Sequence, residues 1–417
     1  MQQLKRKASP TLIVGLCSFV YFVSYFTRKD FAAAMASMLE EGVLDMSVAG
    51  LIGTALFVFY GAGQLVSGFL GDRLKPEYLI LFGLSVTSLS NMIMPLLPNG
   101  YYMIAAWGVN GFAQAMLWPP IVRILSDNLD HGRFVRANLI VTASAHISTI
   151  ILYIFVPYCI MALDWRWVFF TAAGLAFVSI VIFIVSLSIV TVGADKDTAR
   201  QEEGGKPISS SIGALIRRSG LIFIFLAIVM MGFLRDGIES WLPTLYSNAF
   251  EREATEGILI SVVLPIFSIL SIVIITALHK TALFSLETRG SAILFGISTV
   301  LSLVFSLVIE LDGAVFRYIS LGLATLICAC MHAVNFLYIS CLPGRFSGEG
   351  RAATVSGLCN ACTYIGAAIS MYGIALIADN LGWTFTVISW AVISALGASF
   401  SLISSRRYSG FVEEKSK

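Results

Sequence analysis

Apolar residues run through this 417-residue chain in long blocks separated by short polar breaks. A helix needs about 20 mostly apolar residues to cross a bilayer. That criterion predicts two sets of six spans. The first set is 11–37, 47–70, 77–97, 101–124, 134–160 and 164–191; the second is 219–246, 256–278, 289–310, 314–341, 352–377 and 382–404. Between the sets lies the longest polar stretch, 192–218, with Asp195, Lys196, Asp197, Arg200, Glu202, Glu203 and Lys206 around the pair Gly204-Gly205. Such a composition suits a flexible linker. The pattern therefore predicts an all-α polytopic membrane protein: a six-helix half over 1–191, a linker over 192–218, a second half over 219–405 and a short tail over 406–417.

Composition agrees. Hydrophobic residues make up 57% of the chain and charged residues 12%, about half the usual share of a soluble protein. Too few charges remain to coat a water-facing surface. The net charge of +2 and the short, interrupted basic stretches argue against a nucleic-acid partner. Cytoplasmic loops are enriched in Lys and Arg. With the N-terminus inside, all but six of the 27 basic residues fall on one face. Arg166, Arg252 and Arg317 fall opposite, and Arg28, Lys29 and Arg235 lie inside predicted helices. Both termini and the linker are thus expected on the cytoplasmic side of the inner membrane. The first apolar run continues past signal-peptide length with no small-residue cleavage site.

The halves also read as duplicates. Leu163-Asp-Trp165 opens the sixth span and Leu381-Gly-Trp383 the twelfth; Arg28 and Arg235 occupy matching depths in the first and seventh. Parallel repeats of this kind carry their substrate site near mid-membrane, where the repeats meet.

An arginine at mid-bilayer costs at least about 2.5–3.5 kcal/mol, so it needs a partner or a polar cavity. Guanidinium stays ionised and grips phosphate or carboxylate oxygens bidentately. Arg28 and Arg235 are therefore candidates to clamp one oxyanion. Glu239, at i+4 from Arg235, offers a competing salt bridge on the same helix face, whereas Asp30 and Asp236 do not face their arginines squarely. Lys29 either pairs with an acid or lines the cavity edge. Tyr21 and Tyr25 share the Arg28 face, and Tyr60 and Gln64 lie at i and i+4 on the second span; their hydroxyls and amide suit ligand oxygens or aromatic packing. His146 and His332 lie deep in spans and are candidates for a proton-exchanging contact or for packing. His131 and His279 fall in loops. Gly68, Asp72 and Arg73 form a charged loop after the second span that can latch one conformation. Trp118-Pro119-Pro120 is expected to kink the fourth span. The seven cysteines, including the Cys359-x-x-Cys362 pair, read as packing residues. No metal site and no cofactor are expected.

Gly68…Asp72-Arg73 and the twelve spans resemble the major facilitator superfamily. Tyr25-Phe-Thr-Arg28-Lys29-Asp30-Phe31, Asn110-Gly111-x-x-Gln114, Trp118-Pro119-Pro120, His146 and Arg235-Asp-Gly-Ile-Glu-Ser-Trp241-Leu-Pro243-Thr resemble its organophosphate:phosphate antiporter family. The resemblance implies that Arg28 and Arg235 bind a substrate phosphate and that His146, Tyr21, Tyr25, Tyr60 and Tyr364 line the pocket. Gln64 stands where a glycerol-3-phosphate transporter has a lysine; Gly232 and His332 stand where that family has tyrosines. The expected function is therefore alternating-access transport of a small phosphorylated organic anion in exchange for inorganic phosphate, by a monomer and not an enzyme. A sugar-phosphate sensor, or a transporter of a carboxylate, another oxyanion or a drug, is the alternative.

Overall fold

A computed structural model describes residues 6–7, 9–71, 74–191, 212–281 and 283–416. The first unit holds α1 (Pro10–Glu40), α2 (Met46–Gly71), α3 (Pro76–Ile93), α4 (Gly100–Gln114), α5 (Trp118–Asn128), α6 (His131–Ala162) and α7 (Arg166–Ile189). Then follow α8 (Ile212–Ser219), α9 (Leu221–Ala249), α10 (Ala254–Ile260), α11 (Val263–Leu278), α12 (Glu287–Val308), α13 (Ala314–Asn335), α14 (Ala352–Leu381) and α15 (Trp383–Ser416). Two compact units result: Met1–Glu203 with Glu253–Pro265, and Gly204–Arg252 with Ile266–Lys417. A two-residue parallel pairing joins Arg6–Lys7 to Val190–Thr191. Most of the predicted linker lies outside the described residues, and its end, 212–218, is helical.

Eleven stretches among the described residues are long and apolar enough to span a membrane. The expected fourth span is the exception, because it is broken and not merely kinked. Pro119 and Pro120 carry no N–H, so the helix cannot run through them; they sit instead in the first turn of α5, where the missing donors are not needed. The junction tightens into i→i−3 bonds from Met116 to Ala113 and from Leu117 to Gln114. Serine and asparagine caps set other starts: Ser9 Oγ accepts from Leu12 N, and Asn99 Oδ1 from Tyr101 N.

Large apolar side chains such as Leu65, Phe177, Val300 and Leu307 point outward, as a lipid solvent requires. Inside each unit, small residues and hydroxyls bring helices together. In the first unit, Ser144 and Ser148 of α6 donate to the carbonyls of Ser18 and Phe22 of α1, and Ser88 of α3 donates to Ala173 O of α7. In the second, α9 lies so close to α14 that a Cβ at Gly232 would stand 2.3 Å from Thr363 O, and one at Gly366 2.1 Å from Val229 O. The pairing of spans repeats: first with fifth and third with sixth in one unit (α1–α6, α3–α7), and likewise in the other (α9–α14, α12–α15). After α13 the backbone passes into a π-helical turn, Phe336–Cys341, and then a 3₁₀ segment, Leu342–Glu349.

Candidate functional site

In the first unit the site grows out of one turn of α1. Thr27 is tied from three sides. Asn91 of α3 and Asn110 of α4 donate to its carbonyl at 3.3 and 3.2 Å, and Gln114 donates to its hydroxyl at 2.9 Å. Ser24 closes the network by donating to Gln114 Oε1 at 2.6 Å. These amides, buried where unmet hydrogen bonds are costly, fix the turn that carries Arg28. The Arg28 guanidinium lies 4.1 Å from the Tyr25 ring centroid and 5.2 Å from that of Tyr60, a cation–π cradle. Tyr21 packs edge-on against Tyr25, with centroids 5.1 Å apart, and against Trp118 at 4.6 Å. Tyr21, Tyr25 and Arg28 therefore converge along one face of α1, in keeping with the i−7 and i−3 spacings, and Tyr60 joins them from α2.

Gln64 has a structural job that the sequence reading omits. Its Nε2 lies 3.5 Å from Ala115 O, the carbonyl whose helical donor Pro119 removes. Asp30 is fully buried, and its Oδ1 accepts from Phe31 N at 2.7 Å. Lys29 is buried as well. His146 is half-buried on α6, between the two serines that bond α1. Gly68 falls in α2, while Asp72 and Arg73 lie outside the described residues.

In the second unit, α9 and α13 form two polar rungs. Arg235 Nη1 donates to Asn335 Oδ1 at 2.6 Å and its Nη2 donates to Asp236 Oδ2 at 2.7 Å. One turn on, His332 Nε2 lies 2.6 Å from Glu239 Oε1. The i+4 spacing offered Glu239 as a competing salt-bridge partner of Arg235. Instead the arginine bonds the next residue of its own helix, Asp236, and a histidine on the facing helix takes Glu239. Helix-surface spacing cannot anticipate a partner from another helix. Tyr364, the tyrosine of the eleventh span, lies on α14. Gly232, where the resemblance leads one to expect a tyrosine, has no room for one, because the Thr363 carbonyl occupies that space.

Cys328 stands one turn before His332 on α13. Its Sγ, a Glu239 carboxylate oxygen and a His332 ring nitrogen all lie within 4.8 Å of one another, the one such cluster of metal-donor groups found among the described residues. All seven cysteines are free thiols. Glu287 of α12, almost completely buried, accepts from Arg345 Nε at 2.9 Å and from Tyr408 of α15 at 3.0 Å. Sequence reasoning missed it, since a glutamate at a helix start normally reads as a solvated end.

The family model for the Major Facilitator Superfamily matches residues 17–371. Over 108 residues the chain is 37% identical to a probable hexose phosphate transport protein of Chlamydia muridarum, a stretch covering 26% of this chain and 24% of that protein. It is 24% identical over 398 residues to sugar phosphate exchanger 3 of Gallus gallus, covering 82% of this chain and 75% of that one. Among solved structures, a bacterial homolog of the human lysosomal transporter Spinster, inward-facing and unoccupied, superposes with a TM-score of 0.74 at 12% identity, covering 96% of this chain and 98% of that chain.

Proposed function

Because the chain belongs to the Major Facilitator Superfamily, we propose that this multi-pass membrane protein is a secondary transporter. Its substrate is a small phosphorylated organic anion, moved by alternating access in exchange for inorganic phosphate. The observation that carries the reading is the pair of arginines, Arg28 in an aromatic cradle on a tied turn of α1 and Arg235 hydrogen-bonded to Asn335 and Asp236. The relatives' sugar-phosphate names point the same way.

In this reading Arg28 and Arg235 bind the phosphate group. Tyr21, Tyr25 and Tyr60 hold Arg28 in place and offer hydroxyls to the rest of the ligand; His146, Gln64, His332 and Tyr364 complete the lining. Asp236 gives the second half a way to stay neutral when no ligand is present. Its carboxylate occupies the Nη2 donor of Arg235, and an incoming phosphate takes over that donor. Binding is then an exchange of one oxyanion for another, so a bare guanidinium is never left in the membrane interior. Asn335 keeps hold of Nη1 and preserves the orientation of the fork. The chain works as a monomer in the inner membrane with both termini cytoplasmic, and Gly68, Asp72 and Arg73 gate the change of state.

Proteoliposomes preloaded with inorganic phosphate provide the test. Labelled phosphate should enter by counterflow, and one or more phosphate esters from a panel should compete. Folded protein that shows no counterflow with phosphate or any ester overturns the proposal. Saturable ester binding with no flux favours a sensor.

A further inference from the structure

We infer that Cys328, His332 and Glu239 form a binding site for a divalent transition-metal ion of the zinc type within the second half. Cys328 and His332 are at i and i+4, so they project from one face of α13 one above the other. Glu239 reaches them from α9, and the three donor atoms lie within 4.8 Å of one another. One sulfur, one imidazole nitrogen and one carboxylate oxygen make the mixed donor set that zinc accepts and that magnesium and calcium do not. Three protein ligands leave a fourth tetrahedral position open.

The charge count permits the ion. Cys328 and His332 are buried and Glu239 is largely so, so the ligands cannot carry a surplus charge into the membrane interior cheaply. A divalent cation with one thiolate and one carboxylate sums to zero. The neighbouring Arg235–Asp236 pair also sums to zero, which leaves the region neutral with the metal bound. Protons balance as follows. Cys328 gives up its thiol proton to the medium, Glu239 binds as the carboxylate, and His332 binds through Nε2 with its proton held on Nδ1. One proton leaves for each ion bound. The 2.6 Å contact between His332 and Glu239 opens by about 1 Å to the spacing that metal bonds of about 2.0–2.3 Å impose.

The test is a titration of the purified full-length protein with Co²⁺, a spectroscopic stand-in for zinc. Wild type should bind one equivalent, with a thiolate-to-cobalt charge-transfer band in the near ultraviolet and visible d–d bands of tetrahedral intensity; Zn²⁺ should abolish both. Cys328→Ser should lose the charge-transfer band. His332→Ala and Glu239→Gln should each weaken binding by at least about tenfold. A variant with the other six cysteines replaced should keep the full spectrum. The inference is overturned if folded wild type gives no charge-transfer band, if the band survives Cys328→Ser, or if it disappears with the other six cysteines. None of these readouts depends on transport, so phosphate exchange and metal binding stand or fall separately.

Discussion

Asp236 is the residue whose replacement reveals most about the anion site. Its carboxylate accepts from Arg235 Nη2 at 2.7 Å, and both side chains are largely buried. A phosphate that uses this donor must displace it. A hydrogen bond to a charged group contributes about 1.5–3 kcal/mol, and losing the Asp236 charge moves this one from the top of that range towards the bottom. Asp236→Asn keeps an acceptor but removes the charge, so the competitor weakens by about 1–1.5 kcal/mol. Inorganic phosphate should then bind about five- to tenfold more tightly. The empty protein should pay in stability, because a buried guanidinium loses its counter-ion. Its unfolding temperature should fall below wild type and recover on adding phosphate, since a ligand at a hundred times its Kd adds about 2.7 kcal/mol. Calorimetric titration with phosphate and a thermal melt with and without it read both effects. Glu239→Gln is the control: the two contacts to Arg235 remain, so the gain in affinity should be smaller. If Asp236→Asn lowers the melting temperature while the phosphate Kd stays within twofold of wild type, Arg235 is a structural anchor and the exchange of oxyanions is refuted.

Other substitutions probe the parts around it. Arg28→Lys should impair phosphate binding nearly as much as Arg28→Ala, at least about tenfold, because an ammonium cannot reproduce the bidentate fork; a Lys variant with near-normal counterflow would remove Arg28 from the site. Gly232→Ala places a Cβ 2.3 Å from a backbone carbonyl of α14, so α9 and α14 must separate. Overpacking of that kind costs about 1–3 kcal/mol, read as a lower unfolding temperature in a thermal melt. Glu287→Gln keeps one acceptor but strips the charge that holds the Arg345 and Tyr408 side chains. Because Arg345 is partly exposed, the expected loss is about 1–2 kcal/mol; an unchanged melting curve would show that the buried cluster contributes nothing.

Much of the fold was legible because the bilayer imposes a length and a composition on each span, and those survive any detail of packing. Internal duplication was legible too, through Arg28 and Arg235 at matching depths. Within the first half, the α1 side of the aromatic cradle followed from spacing on a single helix: Tyr21, Tyr25 and Arg28 share a face of α1, and a face is a local property; Tyr60 comes from α2. The break at Ala115–Leu117 was only half legible. Two prolines announce a defect, but whether the helix bends or restarts depends on whether the orphaned carbonyl finds another donor, and for Ala115 that donor is Gln64 on a different helix.

The site in the second half was least legible, for a reason that applies wherever polar groups meet between helices. The i, i+4 rule ranks partners by their separation on one helix surface, and by that measure Glu239 outranks Asp236 as the partner of Arg235. Once α13 packs against α9, Arg235 and Glu239 each gain a partner from the facing helix. Asn335 draws the fork one way, His332 takes Glu239, and Asp236 is left to close the remaining donor. Each group has settled where the total number of unmet buried charges is least, which no single helix can determine. Cys328 shows the same effect. Read alone it is a small packing residue, and it becomes a metal donor only when α9 brings a carboxylate opposite the face it shares with His332. In a helical membrane protein the sequence of one span therefore identifies which residues can carry charge chemistry, and the packing of a second span decides what chemistry they carry.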